Sequence, residues 1–142
     1  MTIMLRTLQQ SVVLPAAAER LYEMYLDPIV HAEFTGAPVE ISGLSGSPFR
    51  AFDGQLSGTM LLSVPKRQIV QAWRSVHWRP DDLDSTLILS FWPVSDSSGR
   101  IDLVHVNIVE HDFDGVTQGW EKYYWTPWRT FLTRGSITSA RG

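Results

Sequence analysis

Between Val39 and Glu110 the sequence breaks into six short extended runs, VEISG, PFRAFDG, QLSGTMLLSV, QIVQAWRSVHW, STLILSFWPV and RIDLVHVNIVE, with turn residues between them. No other feature restricts the fold so strongly, because links of hairpin length force successive strands to pair antiparallel. Asp53-Gly54, the link from Pro65 to Gln68 and the link from Ser95 to Gly99 are all that short. The runs therefore predict a meander, and a further strand-length segment at 4–14 brings the sheet to about seven strands.

Helical patterns flank this sheet. Leu14-Pro15 ends the first strand, and a helix is expected from Pro15, with Ala17, Ala18, Leu21, Met24 and Tyr25 on one face and Glu19, Arg20 and Glu23 on the other. Asp27 and Pro28 stop it and start a second short helix, Asp27 as N-cap and Pro28 at the first position, running to Thr35-Gly36. At the other end, GVTQGWEKYYWTPWRTFL over 115–132 holds half of the six tryptophans. On a helical wheel Val116, Trp120, Tyr123, Tyr124, Pro127, Trp128 and Phe131 share one side, and Trp125 and Leu132 widen the apolar arc beyond what resting on a sheet requires. Such a helix is either gripped on both flanks or lines a cavity. Pro127 removes a backbone donor within it, which predicts a kink or an early stop near Tyr123 to Thr126.

Composition narrows the partners. At 142 residues and 44% hydrophobic content, one α+β domain spanning 1–142 is expected, with a polar, flexible tail over about 134–142. Twelve basic against fifteen acidic residues give a net charge of -3, which offers no footprint for nucleic acid or anionic lipid. The absence of cysteine excludes a disulfide framework and a thiolate nucleophile. MTIMLRTLQQSVVLP lacks the pattern of an export signal and no apolar run approaches the ~20 residues of a membrane span, so a cytoplasmic setting is expected.

The residues of the meander also carry a family resemblance. FDGQLSGTMLLSVPKRQIVQAWRSVHW, then STLILSF, then TQGWEKYY closely resemble the C-terminal domain family of activators of the ninety-kilodalton heat shock chaperone's ATPase, within the START-like superfamily. The resemblance covers roughly 10–132, and its most specific pieces are Phe52, Gly54, Gly58, Pro65, Trp73-Arg74, Trp78, Gly119-Trp120 and Tyr123-Tyr124. It implies the helix-grip fold, in which a curved, mainly antiparallel sheet wraps a long C-terminal helix, with two short helices after the first strand. Where the family has a Gly-Gly pair before the Phe of the second strand, this chain has Gly46-Ser47-Pro48-Phe49, so the local turn differs and Pro48 is confined to an edge or a strand start. In the eukaryotic co-chaperones the similar domain follows a separate N-terminal domain that makes much of the chaperone contact.

Candidate chemistry is sparse. The four histidines, His31, His77, His105 and His111, show no metal-ligand spacing, no glycine-rich phosphate loop occurs, and Asp81, Asp82 and Asp84 read as a solvated turn. Neither metal nor cofactor is expected. His105 alternates with Ile101 and Leu103, which makes it a half-buried imidazole pointing at the cavity; it reads as a core or rim histidine ahead of a general base. Trp73 and Trp78 have opposite parity along one strand, so a regular strand would send one to each face. Arg74 then lies outside with Val70 and Ala72, and the strand at 85–93, apolar on both parities, has both faces covered, the outer one by a subunit partner if the protein is a homodimer and not a monomer.

Three readings of function remain. A START-like binding module for a small hydrophobic or aromatic ligand ranks first; a co-chaperone-like accessory protein with a heat shock chaperone as partner ranks second; a cyclase or aromatase-type enzyme ranks third, because no polar dyad is in view. For the first reading the ligand-binding candidates are Tyr25, Phe34, Trp73, Phe91, His105, Trp120, Tyr124 and Trp128, with Tyr25, Tyr123 and His105 as orienting polar groups and no catalytic residue. Trp120 and Phe131 are expected to be mainly structural, and Tyr124 and Trp128 to lie nearer the pocket.

Overall fold

The computed structural model describes residues 4–141, with side chains to Arg134. Among the described residues six strands form one antiparallel sheet: β1 (Leu5–Leu14), β2 (Pro48–Ala51), β3 (Leu56–Val64), β4 (Gln68–Ser75), β5 (Ser85–Ser95) and β6 (Ser98–Val109), in the order β1-β6-β5-β4-β3-β2. β2 to β6 are the predicted meander, and β1 closes it beside β6. The seventh expected strand, VEISG, is reduced to a single bridge between Glu40 and Arg50. Pro48 is the first residue of edge strand β2, where its missing N–H costs the ladder nothing.

Alternation assigns the two faces of the sheet. On β4 the residues Ile69, Gln71, Trp73 and Ser75 are buried, while Val70, Ala72 and Arg74 lie on the outer face. β5 buries Leu87, Leu89 and Phe91, but Trp92 on its outer face is 41% exposed, with the Arg67 guanidinium 5.3 Å from the ring centroid. The outer face is therefore open in the single chain. Gly58 faces Trp73 across β3 and β4, and a Cβ there would overlap the Ala72 carbonyl, so only glycine permits this strand approach.

Helices α1 (Ala18–Leu26) and α2 (Pro28–Thr35) follow β1. Asp27 caps α2 as expected, its carboxylate accepting from the backbone N–H groups of Ile29 and Val30, and Gly36 ends it in the left-handed region at φ 80°. α1 packs on β5 and β6, and α2 packs on the C-terminal helical segment.

That segment is not one uniform helix. A 3₁₀ turn (Glu110–Asp112) leads into α3 (Phe113–Trp120), a π turn (Glu121–Trp125) and α4 (Thr126–Arg141). Within the π turn Thr126 N–H reaches back to Glu121 O, five residues earlier. The sequence cause is Pro127, whose ring cannot be accommodated over the carbonyl four residues before it in a regular helix. The predicted kink is thus a widened turn, and the helix continues past it. Gln10 on β1 fastens the join, accepting from Trp125 Nε1 at 2.8 Å and donating through Nε2 to Thr117 O at 3.3 Å. The expected tail over 134–142 lies outside the described side chains beyond Arg134. No described helix is long and apolar enough to cross a membrane.

Candidate functional site

The π turn decides which aromatic rings point where. One residue added to a helix rotates everything after it by about 100° relative to a uniform wheel. Trp125, five residues after Trp120, therefore joins it on the buried face, with ring centroids 5.4 Å apart, while Tyr123 turns outward and is 49% exposed. A stacked series continues from Trp125 to Trp128, from Trp128 to Phe34 at 4.4 Å and from Phe34 to His31 at 5.1 Å. These rings weld α2 to α4, and Trp128 among them is fully buried.

The space is on the other side of α3. A pocket of about 380 Å³ opens between the β2–β3 turn, the end of β4 and the flank of α3 with the π turn. Its floor is Trp73, Trp120 and Tyr124, all buried. Phe52, Leu56 and Val116 form the walls, and Gln55, Ser75, His77, Asp112 and Tyr123 stand around the polar side and the mouth. Phe52 is held at φ 51°, a conformation that bulky residues rarely adopt, and its ring sits 5.6 Å from Tyr123 and 5.8 Å from Tyr124. Backbone strain of this kind costs about 1–3 kcal/mol and persists where surrounding packing over-determines it. Trp73 Nε1 is buried and has no acceptor among the described residues.

Below the floor lie two histidines whose protonation is fixed by their partners. His105 accepts from Trp120 Nε1 at its Nδ1 (3.2 Å), because an indole N–H can only donate. Its Nε2 then carries the proton toward Ser85 Oγ at 2.8 Å, and Ser85 in turn donates to Trp73 O at 2.7 Å. His31 has the opposite tautomer. Its Nδ1–H donates to Tyr25 O at 2.7 Å, leaving Nε2 to accept from the Tyr124 hydroxyl at 3.0 Å. Burial lowers the His105 pKa to about 3 and the His31 pKa to about 4, and it raises the Tyr124 phenol far above its ordinary range. With every ring nitrogen engaged, both imidazoles are structural braces beneath the pocket.

Of the predicted site residues, Trp73, Trp120 and Tyr124 come together on the floor. Tyr25 is fully buried and donates to Gln71 Oε1 at 2.7 Å; Phe91 packs edge-on against Tyr22 under α1; Phe34 and Trp128 stack on each other. His105 is fully buried behind Trp73 and Trp120, not half-buried at a cavity. Trp120 therefore stands closer to the pocket than Trp128, the reverse of the order drawn from the wheel. Trp78 also departs from its expected place: β4 ends at Ser75, Trp78 N–H bonds back to Ser75 O, and the ring returns to lie 5.6 Å from Trp73 on the same side. Sequence reasoning missed Gln55, Ser75, His77 and Asp112, which come from three separate stretches with no spacing to connect them.

The family model described as Activator of Hsp90 ATPase homolog 1-like protein matches residues 15–127. The human Activator of 90 kDa heat shock protein ATPase homolog 1 is 31% identical over 108 residues, which is 75% of this chain and 31% of the human protein. The chain thus spans about a third of the length of that relative. Among solved structures, an HSP90 activator from Plasmodium falciparum superposes with a TM-score of 0.81 at 19% identity, covering 89% of this chain and 96% of that one. The Aha1 dimer from Colwellia psychrerythraea superposes with a TM-score of 0.71 at 12% identity, covering 85% and 92%. At these identities the solved structures establish the shared fold.

Proposed function

Because the chain belongs to the Activator of Hsp90 ATPase homolog 1-like family, whose helix-grip fold encloses space between sheet and helix, we propose that this domain binds a small, largely apolar ligand in the pocket floored by Trp73, Trp120 and Tyr124. The supporting observation is an open cleft of about 380 Å³ lined by five aromatic rings. His105 and His31 beneath the floor are engaged on both nitrogens, and the two titratable side chains of the polar side, His77 and Asp112, share no hydrogen bond among the described residues, so binding without chemistry is the reading favoured over an enzyme. Titration with fatty acids, flavonoids and polyketide-like aromatics should quench tryptophan fluorescence saturably for at least one class. A panel with no saturable response would remove the reading.

A second reading has its own support in the identity to the human activator. On it, the domain contacts a ninety-kilodalton heat shock chaperone and alters its ATPase rate. Addition of the domain to that chaperone from the same source should change the turnover; an unchanged rate at saturating domain would refute it.

A further inference from the structure

We propose that the pocket selects a cation: an apolar body bearing a protonated or quaternary amine. This rests on the ligand-binding reading above and names the chemistry of its ligand. Phe52, Trp73, Trp120, Tyr123 and Tyr124 present π systems around one space, and the negative faces of such rings attract a positive group.

The charged groups at the site point the same way. Among the described residues no lysine or arginine lines the pocket, and Asp112 is the carboxylate that does. Its Oδ2 accepts from Trp78 Nε1 at 2.7 Å, and that ring is buried against Trp73, so the carboxylate is anchored by the core. Oδ1 takes no hydrogen bond from a described residue and lies over Gly115, another lining residue, where a Cβ would overlap it. One oxygen is thus committed to position and the other is open to a ligand.

The remaining charges nearby do not reverse this. His77 shares the polar side, His111 is engaged with Asp82 at 2.9 Å, and Lys122 stands outside the pocket with its Nζ 5.2 Å from the Tyr123 ring centroid. The first turn of α3 attracts negative charge, but Asp112 already supplies it, so an incoming carboxylate would meet a like charge; the Arg50 guanidinium lies against Gly54 of the β2–β3 turn and is not in the lining.

Calorimetric titration at about pH 8, above the ordinary histidine range, tests the proposal with three probes that share a ring system: naphthylmethylammonium, naphthylmethanol and naphthoate. The ammonium should bind at least about fivefold tighter than the alcohol, and naphthoate should be weakest. Asp112→Asn, which retains an acceptor for Trp78, should bring ammonium and alcohol within about twofold. If that variant does not fold, the parent protein still decides the question, because ammonium binding must weaken as salt rises and alcohol binding must not. Equal affinity for ammonium and naphthoate, or a preference untouched by both Asp112→Asn and salt, overturns cation selection and leaves the pocket standing. Failure of all three probes removes the pocket reading and the proposal together.

Discussion

Acidification from pH 7 to 5 should cost this protein far more stability than its surface charge would suggest. His31 and His105 are buried and neutral in the folded state, with pKa values lowered by burial from 6.5 to about 4 and about 3. A depressed histidine pKa means that the unfolded chain takes up a proton that the folded chain refuses. The contribution is complete above the unfolded value and is lost as pH falls toward the folded one. At pH 5 each histidine favours the unfolded state by about 1.8 kcal/mol relative to pH 7, so the pair costs about 3.5–4 kcal/mol. Against a typical total of about 5–15 kcal/mol, that is a large share, and it should lower the urea midpoint by about 2 M. The structural origin is specific: a proton on His105 Nδ1 would face the Trp120 N–H, and one on His31 Nε2 would displace the Tyr124 hydroxyl hydrogen. Nitrogen-detected NMR should accordingly show the Nε2–H tautomer for His105 and the Nδ1–H tautomer for His31, neither titrating above pH 5. A urea midpoint that stays flat between pH 7 and 5, or normal titration of both rings in the folded protein, would refute the buried network.

The other expectations follow from packing. Trp120→Ala removes a ring that is 2% exposed together with the donor to His105, and thermal or denaturant melts should show a loss of about 3–5 kcal/mol. Gly58→Ala should prevent native β3–β4 pairing, read as loss of a cooperative melt, because the clash is with backbone and cannot be relieved by a rotamer. Phe52→Gly should change stability by no more than about 1 kcal/mol, since relief at φ 51° offsets lost contacts, yet it should weaken ligand binding measurably by calorimetry. Trp128→Ala should instead damage the fold by several kcal/mol while leaving the affinity of the surviving folded protein close to that of the parent.

What was legible in the sequence was whatever local rules decide. The hairpin links, the Asp27-Pro28 helix start, the edge position of Pro48 and the disturbance before Pro127 each depend on neighbours along the chain, and each is found in the structure. VEISG had strand composition but only one bridge to pair with, because its neighbour β2 is four residues long. The pocket was only half legible for two reasons. A wheel drawn with one period across 115–132 cannot represent a π turn, so it sends Trp128 to the pocket when the ring is sealed against Phe34, while Tyr123 and Tyr124 do line the pocket. The polar side of the site, from Gln55, His77 and Asp112, is assembled by sheet order across long separations, and nothing in local spacing reports it. Trp78 was misjudged for the same reason: parity holds only while a strand continues, and β4 stops at Ser75.

The six tryptophans give the most direct test of where a ligand sits, since each contributes one indole N–H signal. The structure places Trp73 and Trp120 on the pocket floor, Trp92 on the outer face and Trp128 sealed behind the helix. Proton–nitrogen correlation spectra recorded during titration with naphthylmethylammonium should show the Trp73 and Trp120 indole signals moving saturably together, with Trp92 and Trp128 unmoved. Saturable movement of Trp92 or Trp128 with Trp73 and Trp120 unchanged, or no movement of any indole signal, would contradict a binding site between the sheet and α3.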